Sequence, residues 1–369
     1  MPDYRLYQLK ISVLTPLHIG DGEELLHEYD YAIHAGRTWR INEAALLDAQ
    51  QVDDPLQATV LAQPPARLLQ PQDFQEGSQF FRYIIQGTPR SAAEGAQLRA
   101  QIKDPFDRPY LPGSSLKGAL RTALAWHAWE QKRLSPELAR LGRSPKWAAQ
   151  NYEHELFGPD PNRDLLRALQ VSDSQPASAE RLMALNVRVL NRSGSFGSPI
   201  EVEAIRPDTV LAASLKLDLA LFSEWATGRG LRLAGGRWLA ELAALVNRRS
   251  QERIQQESEW FRQARNGGRP LAFYRQLASL HPGANQCLLQ LGWGTGWGDK
   301  TLGARLQVDE GFMEKLIAQY GLARGRRQRG EPFPRSRRVA MAHARDQQGR
   351  HSEAPAYPLG WVLMEMAPQ

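Results

Sequence analysis

Cysteine is almost missing from this chain, and the single Cys287 cannot close a disulfide within it, which fits a reducing compartment. The eight histidines are scattered without paired Cys or His spacing, so neither a metal site nor a cofactor is expected. Long apolar runs are absent too, and the N-terminal stretch Met-Pro-Asp-Tyr-Arg-Leu has no hydrophobic core of a leader. A cytoplasmic protein with no membrane association is expected. Lysine is scarce: 38 of the 46 basic residues are arginine, whose planar fork suits bidentate contact with phosphates. There is no P-loop either, because Asp299 stands between Gly298 and Lys300 where a phosphate-binding loop needs Gly directly before Lys.

What the chain does have is ordinary globular composition and an excess of positive charge, +6 with a pI near 9.5, which favours a polyanionic partner. Its 369 residues suffice for two domains. Tyr7, Leu9, Ile11 and Val13 alternate with Gln8, Lys10 and Ser12, the period of a strand covered on one face. The pattern returns at Leu185, Val187 and Val189, then from Leu211 to Leu219, and at Gly360–Met366. Further strands are expected near Tyr29–Ile33 and Thr38–Ile41, and helices after Gly113, near 145 to 156, near 237 to 263 and near 309 to 320, the last stopped by Gly321. Residues 51 to 105, rich in Gln, Ala and Pro, read as irregular helices inserted between strands. The class expected is α+β, with two βαββαβ modules covering 1–180 and 181–369.

Three segments carry candidate chemistry. In Tyr110-Leu-Pro-Gly-Ser-Ser-Leu-Lys-Gly-Ala-Leu-Arg-Thr122 a strand, a turn at Gly113 and a helix start follow one another. Ser114 or Ser115 can cap that helix, and its free N–H groups with Lys117 and Arg121, one turn apart, are suited to an anion. The opposite stripe, Leu116, Leu120, Ala123, Leu124 and His127, is expected to be buried. In Gly292-Trp-Gly-Thr-Gly-Trp-Gly298, glycine at every second position lets backbone approach a ligand closely, while Trp293 and Trp297 suit either base stacking or core packing. Between Arg324 and Arg338 seven arginines (324, 326, 327, 329, 335, 337 and 338) face one carboxylate, Glu331, a pattern that suits either nucleic acid or a solvated loop. His18, Asp21 and Asp30 are titratable groups in or beside the loop after the first strand, and Asp21 and Asp30 lack a second nearby ligand pair for metal-assisted cleavage.

Taken with Leu14-Thr-Pro-Leu-His-Ile-Gly-Asp-Gly22, Phe333-Pro-Arg-Ser-Arg-Arg338 and Pro358-Leu-Gly-Trp361, these motifs resemble the RAMP superfamily of CRISPR systems. Within it the order and spacing are similar to the subunits at the guide RNA 3′ side of type III-A effector complexes, from residue 4 to about 364. The resemblance implies two RRM-like, ferredoxin-like modules and a non-catalytic subunit in antiviral defence. It also implies contact with the crRNA, assembly with RAMP backbone and small subunits, a part in crRNA maturation, and host ribonucleases as trimming partners. The RNA contacts it implies are His18 and Gly20 in the first loop and Gly113, Ser114, Ser115, Lys117 and Arg121 in the turn. Gly292, Gly294, Gly296, Gly298 and Lys300 in the glycine-rich loop, and Arg335, Arg337 and Arg338, complete the set. The target-cutting RAMP subunit keeps its catalytic Asp close before the Pro-Gly-Ser-Ser motif, whereas about eighty residues separate Asp30 from Gly113 here. An endoribonuclease using His18 or Asp30 is the alternative.

Overall fold

The computed structural model describes residues 3–50, 62–307, 309–323, 327–328, 330–345 and 351–369. Two sheets organise them. Strand β1 (Tyr4–Val13) lies at the middle of a five-stranded antiparallel sheet, between β14 (Trp361–Pro368) and β10 (Val210–Asp218); β11 (Gln286–Gln290) adds to β14 and β7 (Leu169–Val171) to β10. Leu9, Ile11 and Val13 are buried as the alternation predicts, because successive side chains of a strand leave on opposite faces. They meet two long helices laid side by side across that face, α1 (Gly113–Gln131) through Leu116, Leu120 and Leu124, and α3 (Leu242–Gln263) through Leu242, Leu245 and Val246. Each fully buried Leu or Ile of this core contributes about 1.5–3 kcal/mol.

Strand, helix, strand, strand, helix, strand is thus the order of β1, α1, β7, β10, α3 and β11, the ferredoxin-like sequence, with β14 wedged between β1 and β11. The second sheet is made entirely of excursions from the first. β2 (Gly20–Leu26), β3 (Tyr31–His34), β4 (Arg37–Ile41), β5 (Phe81–Gln86) and β6 (Gln97–Gln101) leave between β1 and α1. β8 (Leu182–Asn191) and β9 (Ile200–Ile205) leave between β7 and β10, and β12 (Ser336–Arg345) and β13 (His351–Tyr357) between β11 and β14. Both sheets therefore take strands from either side of residue 180, and the division 1–180 and 181–369 follows chain order rather than sheet membership.

Residues 51 to 105 differ from the helical expectation. Residues 51–61 lie outside the described residues; after them come two 3-10 turns and then strands β5 and β6. Tyr83 and Ile85 of β5 and Leu98 and Ala100 of β6 are buried and pair with distant β4, β8, β2 and β9; β5 itself, Phe81-Arg-Tyr-Ile-Ile-Gln86, is a run of strand formers within the Gln-, Ala- and Pro-rich stretch. Two shorter helices follow the expected positions, α2 (Gln150–Phe157) and α5 (Glu310–Tyr320), the latter ended by Gly321 in the left-handed region at φ 58°, while α4 (Gly268–Ser279) falls where no helix was expected.

Candidate nucleic-acid interface

The loop after β1 is fixed from several sides. His18 Nδ1 lies 2.6 Å from the Glu203 carbonyl oxygen, which can only accept, so Nδ1 carries a proton. Ile19 N–H donates to Gln101 Oε1 (2.9 Å), Leu17 N–H to the Ile205 carbonyl (3.0 Å), and the His18 carbonyl accepts from Trp293 N–H (2.7 Å). Beneath, the buried Glu203 carboxylate accepts from Tyr83 Oη (2.8 Å), Gln101 N–H (3.0 Å) and Lys103 Nζ (2.5 Å). Burial drives the His18 pKa down to about 4, against the raising effect of its bond to the Glu203 carbonyl. Its ring is neutral at pH 7 and a poor general base, which works best with a pKa near the operating pH. Asp30 is held as a turn residue, accepting from Leu26 N–H (2.8 Å) and pairing with Arg40 (3.2 Å).

The glycine-rich loop lies against this first loop. Gly292, Gly294 and Gly296 have φ of 85°, 91° and 93°, angles that side-chain-bearing residues rarely adopt. A Cβ on Gly292 would also sit 2.6 Å from the His18 carbonyl oxygen. The loop rests on charges that α3 carries into the interior. Arg249 pairs with Asp299 at 3.2 Å, and Glu257 is clamped between Arg253 (2.8 Å) and Arg337 of β12 (2.8 Å). Burial alone would raise the Glu257 pKa; the two guanidiniums outweigh it, and the net shift is downward. Sequence reasoning missed this ladder. Its signal was the four-residue spacing of Arg249, Arg253 and Glu257 on the same stripe as Val246, Ser250 and Ile254.

Helix α1 begins differently from the expectation. Pro112, not a serine, is the N-cap, and Ser114 and Ser115 lie inside the first turn. Gly113 N–H donates to Asp173 Oδ1 at 2.7 Å, so a carboxylate of the chain itself already occupies that end of the helix. Gly113 has no left-handed φ; it is glycine because a Cβ would come within 2.4 Å of the Val171 carbonyl oxygen and 2.6 Å of Ser172. Arg121 is likewise engaged, with Asp164 (2.8 Å), Glu153 (3.1 Å) and the Phe157 ring (4.1 Å to the centroid). Lys117 is half-buried, and desolvation lowers its pKa.

These pieces meet in a cleft of about 610 Å³ where His18, Gly20, Ser114, Ser115, Gly292, Trp293 and Lys300 share the lining with Arg99, Glu23 and Glu24. Lys117, Arg121 and Lys300 border a neighbouring, more apolar cleft of about 890 Å³ between α1, α2 and α5. Gly294, Gly296 and Gly298 shape the loop without lining the first cleft. Arg335, Arg337 and Arg338 do not act as one patch. Arg335 pairs with Glu331 (3.2 Å), Arg337 is turned inward to Glu257 and over Trp260, and Arg338 lies over the Trp293 ring at 4.9 Å. Arg337 and Arg338 belong to a strand, β12, rather than to the solvated loop that stood as the alternative to a nucleic-acid patch; Arg324, Arg326 and Arg329 lie outside the described residues. No three His, Cys, Asp or Glu side chains are grouped to hold a metal ion, and no helix is long and apolar enough to cross a membrane, among the described residues.

A family model for the RAMP superfamily matches residues 10–298. A Streptococcus thermophilus protein named "CRISPR system Cms protein Csm5" is 30% identical over 233 residues, 56% of this chain and 62% of that protein. One of the same name from Mycobacterium tuberculosis (strain CDC 1551 / Oshkosh) is 28% identical over 251 residues, 61% of this chain and 56% of that protein. The matches thus span less than two thirds of either relative's length. A chain of the "Cryo-EM structure of Csm-crRNA-target RNA ternary complex in type III-A CRISPR-Cas system" superposes with a TM-score of 0.70 at 25% identity, covering 97% of this chain and 100% of that one. With its ferredoxin-like strand order and the convergence of its three glycine-bearing motifs on one cleft, this chain belongs to the RAMP superfamily.

Proposed function

We propose that the chain is the RNA-binding subunit at the crRNA 3′ side of a type III-A Csm ribonucleoprotein, without catalysis of its own. The observation that carries this is the cleft itself, in which residues near 18, 115 and 292 meet although they are far apart in the chain. Serine hydroxyls, glycine-flanked backbone and the cations Arg99 and Lys300 suit a sugar-phosphate chain, and phosphate contacts position RNA without reading its sequence. The non-catalytic reading is supported by a His18 held neutral and an Asp30 tied to Arg40. The proposal extends to partners: RAMP backbone and small subunits flank the chain, and its seat on the guide end limits trimming by host ribonucleases during crRNA maturation.

The test is co-expression with the other Csm subunits and a repeat-spacer RNA. The chain is expected in the purified complex, and its removal is expected to change guide length. For the purified protein on single-stranded RNA, neutralising about six phosphates gives a slope of log K against log salt of roughly −4. A slope near zero would falsify the phosphate reading. Loss of a cut in the target ladder from an intact His18→Ala or Asp30→Ala complex would overturn the non-catalytic one.

A further inference from the structure

We infer that the indole of Trp293 is the surface on which one unpaired base of the bound RNA stacks. The inference rests on the RNA-binding reading above and adds to it the residue and the moiety recognised. The two tryptophans of the glycine-rich loop have different surroundings. Trp297 is packed: its ring is 5.0 Å from that of Phe333, it adjoins the cluster of Phe312, Met313 and Leu316, and a Cβ on Gly303 would fall 2.3 Å from it. Trp293 is partly buried too, against the cluster of Leu185, Val187 and Leu359, but it lines the cleft that Ser115 and Lys300 share, whereas Trp297 borders only the more apolar neighbouring one.

Its backbone is held in place before any ligand arrives. The N–H is bonded to the His18 carbonyl, Gly292 and Gly294 on either side occupy left-handed angles, and the ring stands edge-on to the His18 ring at 5.7 Å and 88°. An aromatic ring fixed in this way loses little entropy on binding. The ring also carries two guanidiniums, Arg338 at 4.9 Å and Arg99 at 5.6 Å from its centroid. Both attractions come from the negative face of the indole, the face that a base also seeks. Arg99 is the partner that can be exchanged. Its pairing with Glu24 is 3.7 Å long with both side chains about two-fifths exposed, a geometry that contributes little stability. A base taking the place of Arg99 over the ring leaves that guanidinium beside the adjoining phosphate, so one cation–π contact is replaced by a stack and a charge-assisted hydrogen bond.

The experiment uses the full chain and a single-stranded RNA of about thirty nucleotides, unmodified or carrying 5-iodouridine. Trp293→Ala is expected to weaken binding about tenfold, the scale of one lost base–aromatic stack, with the salt slope parallel to wild type because no phosphate contact is removed. Trp293→Phe, which keeps a ring, should restore most of the affinity, and irradiated iodouridine RNA should cross-link to the peptide holding Trp293. Wild-type affinity in Trp293→Ala, a slope that falls with it, or cross-links confined to other peptides would each overturn the inference while the RNA-binding reading stands. A wild-type protein that fails to bind the RNA overturns both. If Trp293→Ala does not fold, the phenylalanine variant and the wild-type cross-link decide.

Discussion

At Gly292 the chain uses glycine for a backbone angle, φ 85°; at Gly113, where the backbone is simply helical, it uses glycine for room, because Val171 and Ser172 press against the helix start. The two segments reach the same cleft and carry comparable sequence signatures, glycine beside cations, yet their charges are handled in opposite ways. Under the glycine-rich loop, Arg249, Arg253, Glu257, Asp299 and Arg337 are paired inside the protein. At the start of α1 the ions are partly exposed, and Asp173 already fills part of the helix terminus that was expected to await an anion. The lesson is that a glycine-and-cation motif marks a place where backbones converge, and only the packing shows which cations remain available to a ligand.

The comparison breaks first, and hardest, at the buried ladder. Glu257→Gln leaves two guanidiniums facing a neutral amide in the interior, and removing one partner of a buried pair costs about 3–5 kcal/mol. A fall of that size in the urea-unfolding free energy is expected, whereas Glu153→Gln at the exposed end of the Arg121 pair should change it by no more than about 1 kcal/mol. Similar losses for the two variants would remove the distinction between the regions.

Next comes the reason for Gly113. If room decides, alanine is as harmful as valine, since the first carbon already collides with backbone, and Gly113→Ala should cost about 1–3 kcal/mol. If only the chain's freedom mattered, alanine in a helical first turn would be neutral or stabilising. Thermal melts of Gly113→Ala and Gly113→Val beside wild type separate the two accounts.

His18 sharpens the comparison through pH. Its pKa is about 4 folded, against 6.5 when exposed, so the unfolded chain binds more protons between those values. The stability linked to keeping the ring neutral is fully present above pH 6.5 and is lost as pH falls toward 4, roughly 2 kcal/mol of it by pH 5 at about 1.4 kcal/mol per pH unit. His18→Gln, which keeps a donor for the Glu203 carbonyl, should lack that part of the slope. Urea midpoints at pH 7, 6 and 5 measure it, and parallel pH profiles would show that the ring is not buried in solution.

What the sequence made legible had long periods or a terminal signal. The face of β1, the stripe of α1 and the stop of α5 at Gly321 were readable because one-sided burial repeats over ten or more residues and because a left-handed cap favours glycine. Strands β5 and β6 were not, being set within a stretch rich in Gln, Ala and Pro and paired with partners from distant parts of the chain. The ladder on α3 was hidden for another reason: a charged residue reads as solvent-facing until a countercharge from residue 299 or 337 is brought to it. The cleft was half legible, its motifs being recognised but neither Arg99 nor the hub at Glu203.

The smallest expected effect on stability lies at Arg335 and Arg338, which flank an Arg337 of the opposite fate. Residues 337 and 338 leave the strand on opposite faces, one toward Glu257 and Trp260, the other over Trp293. Arg335 precedes the strand with a side-chain pair to Glu331 that is partly exposed. Replacing Arg335 and Arg338 together by alanine should therefore shift stability by about 1 kcal/mol, the scale of one exposed cation–π contact and one exposed ion pair. If both meet phosphates, the salt slope for single-stranded RNA should become shallower by about 1.4, which is two contacts at about 0.7 each. Arg337→Ala predicts the reverse: a stability loss approaching that of Glu257→Gln, with the slope of the folded fraction unchanged because that guanidinium faces inward. Unfolding curves and salt titrations on the two variants give both numbers. An unchanged slope in the double variant would remove Arg335 and Arg338 from the RNA-binding set and leave the cleft around Ser115, Trp293 and Lys300 to account for binding by itself.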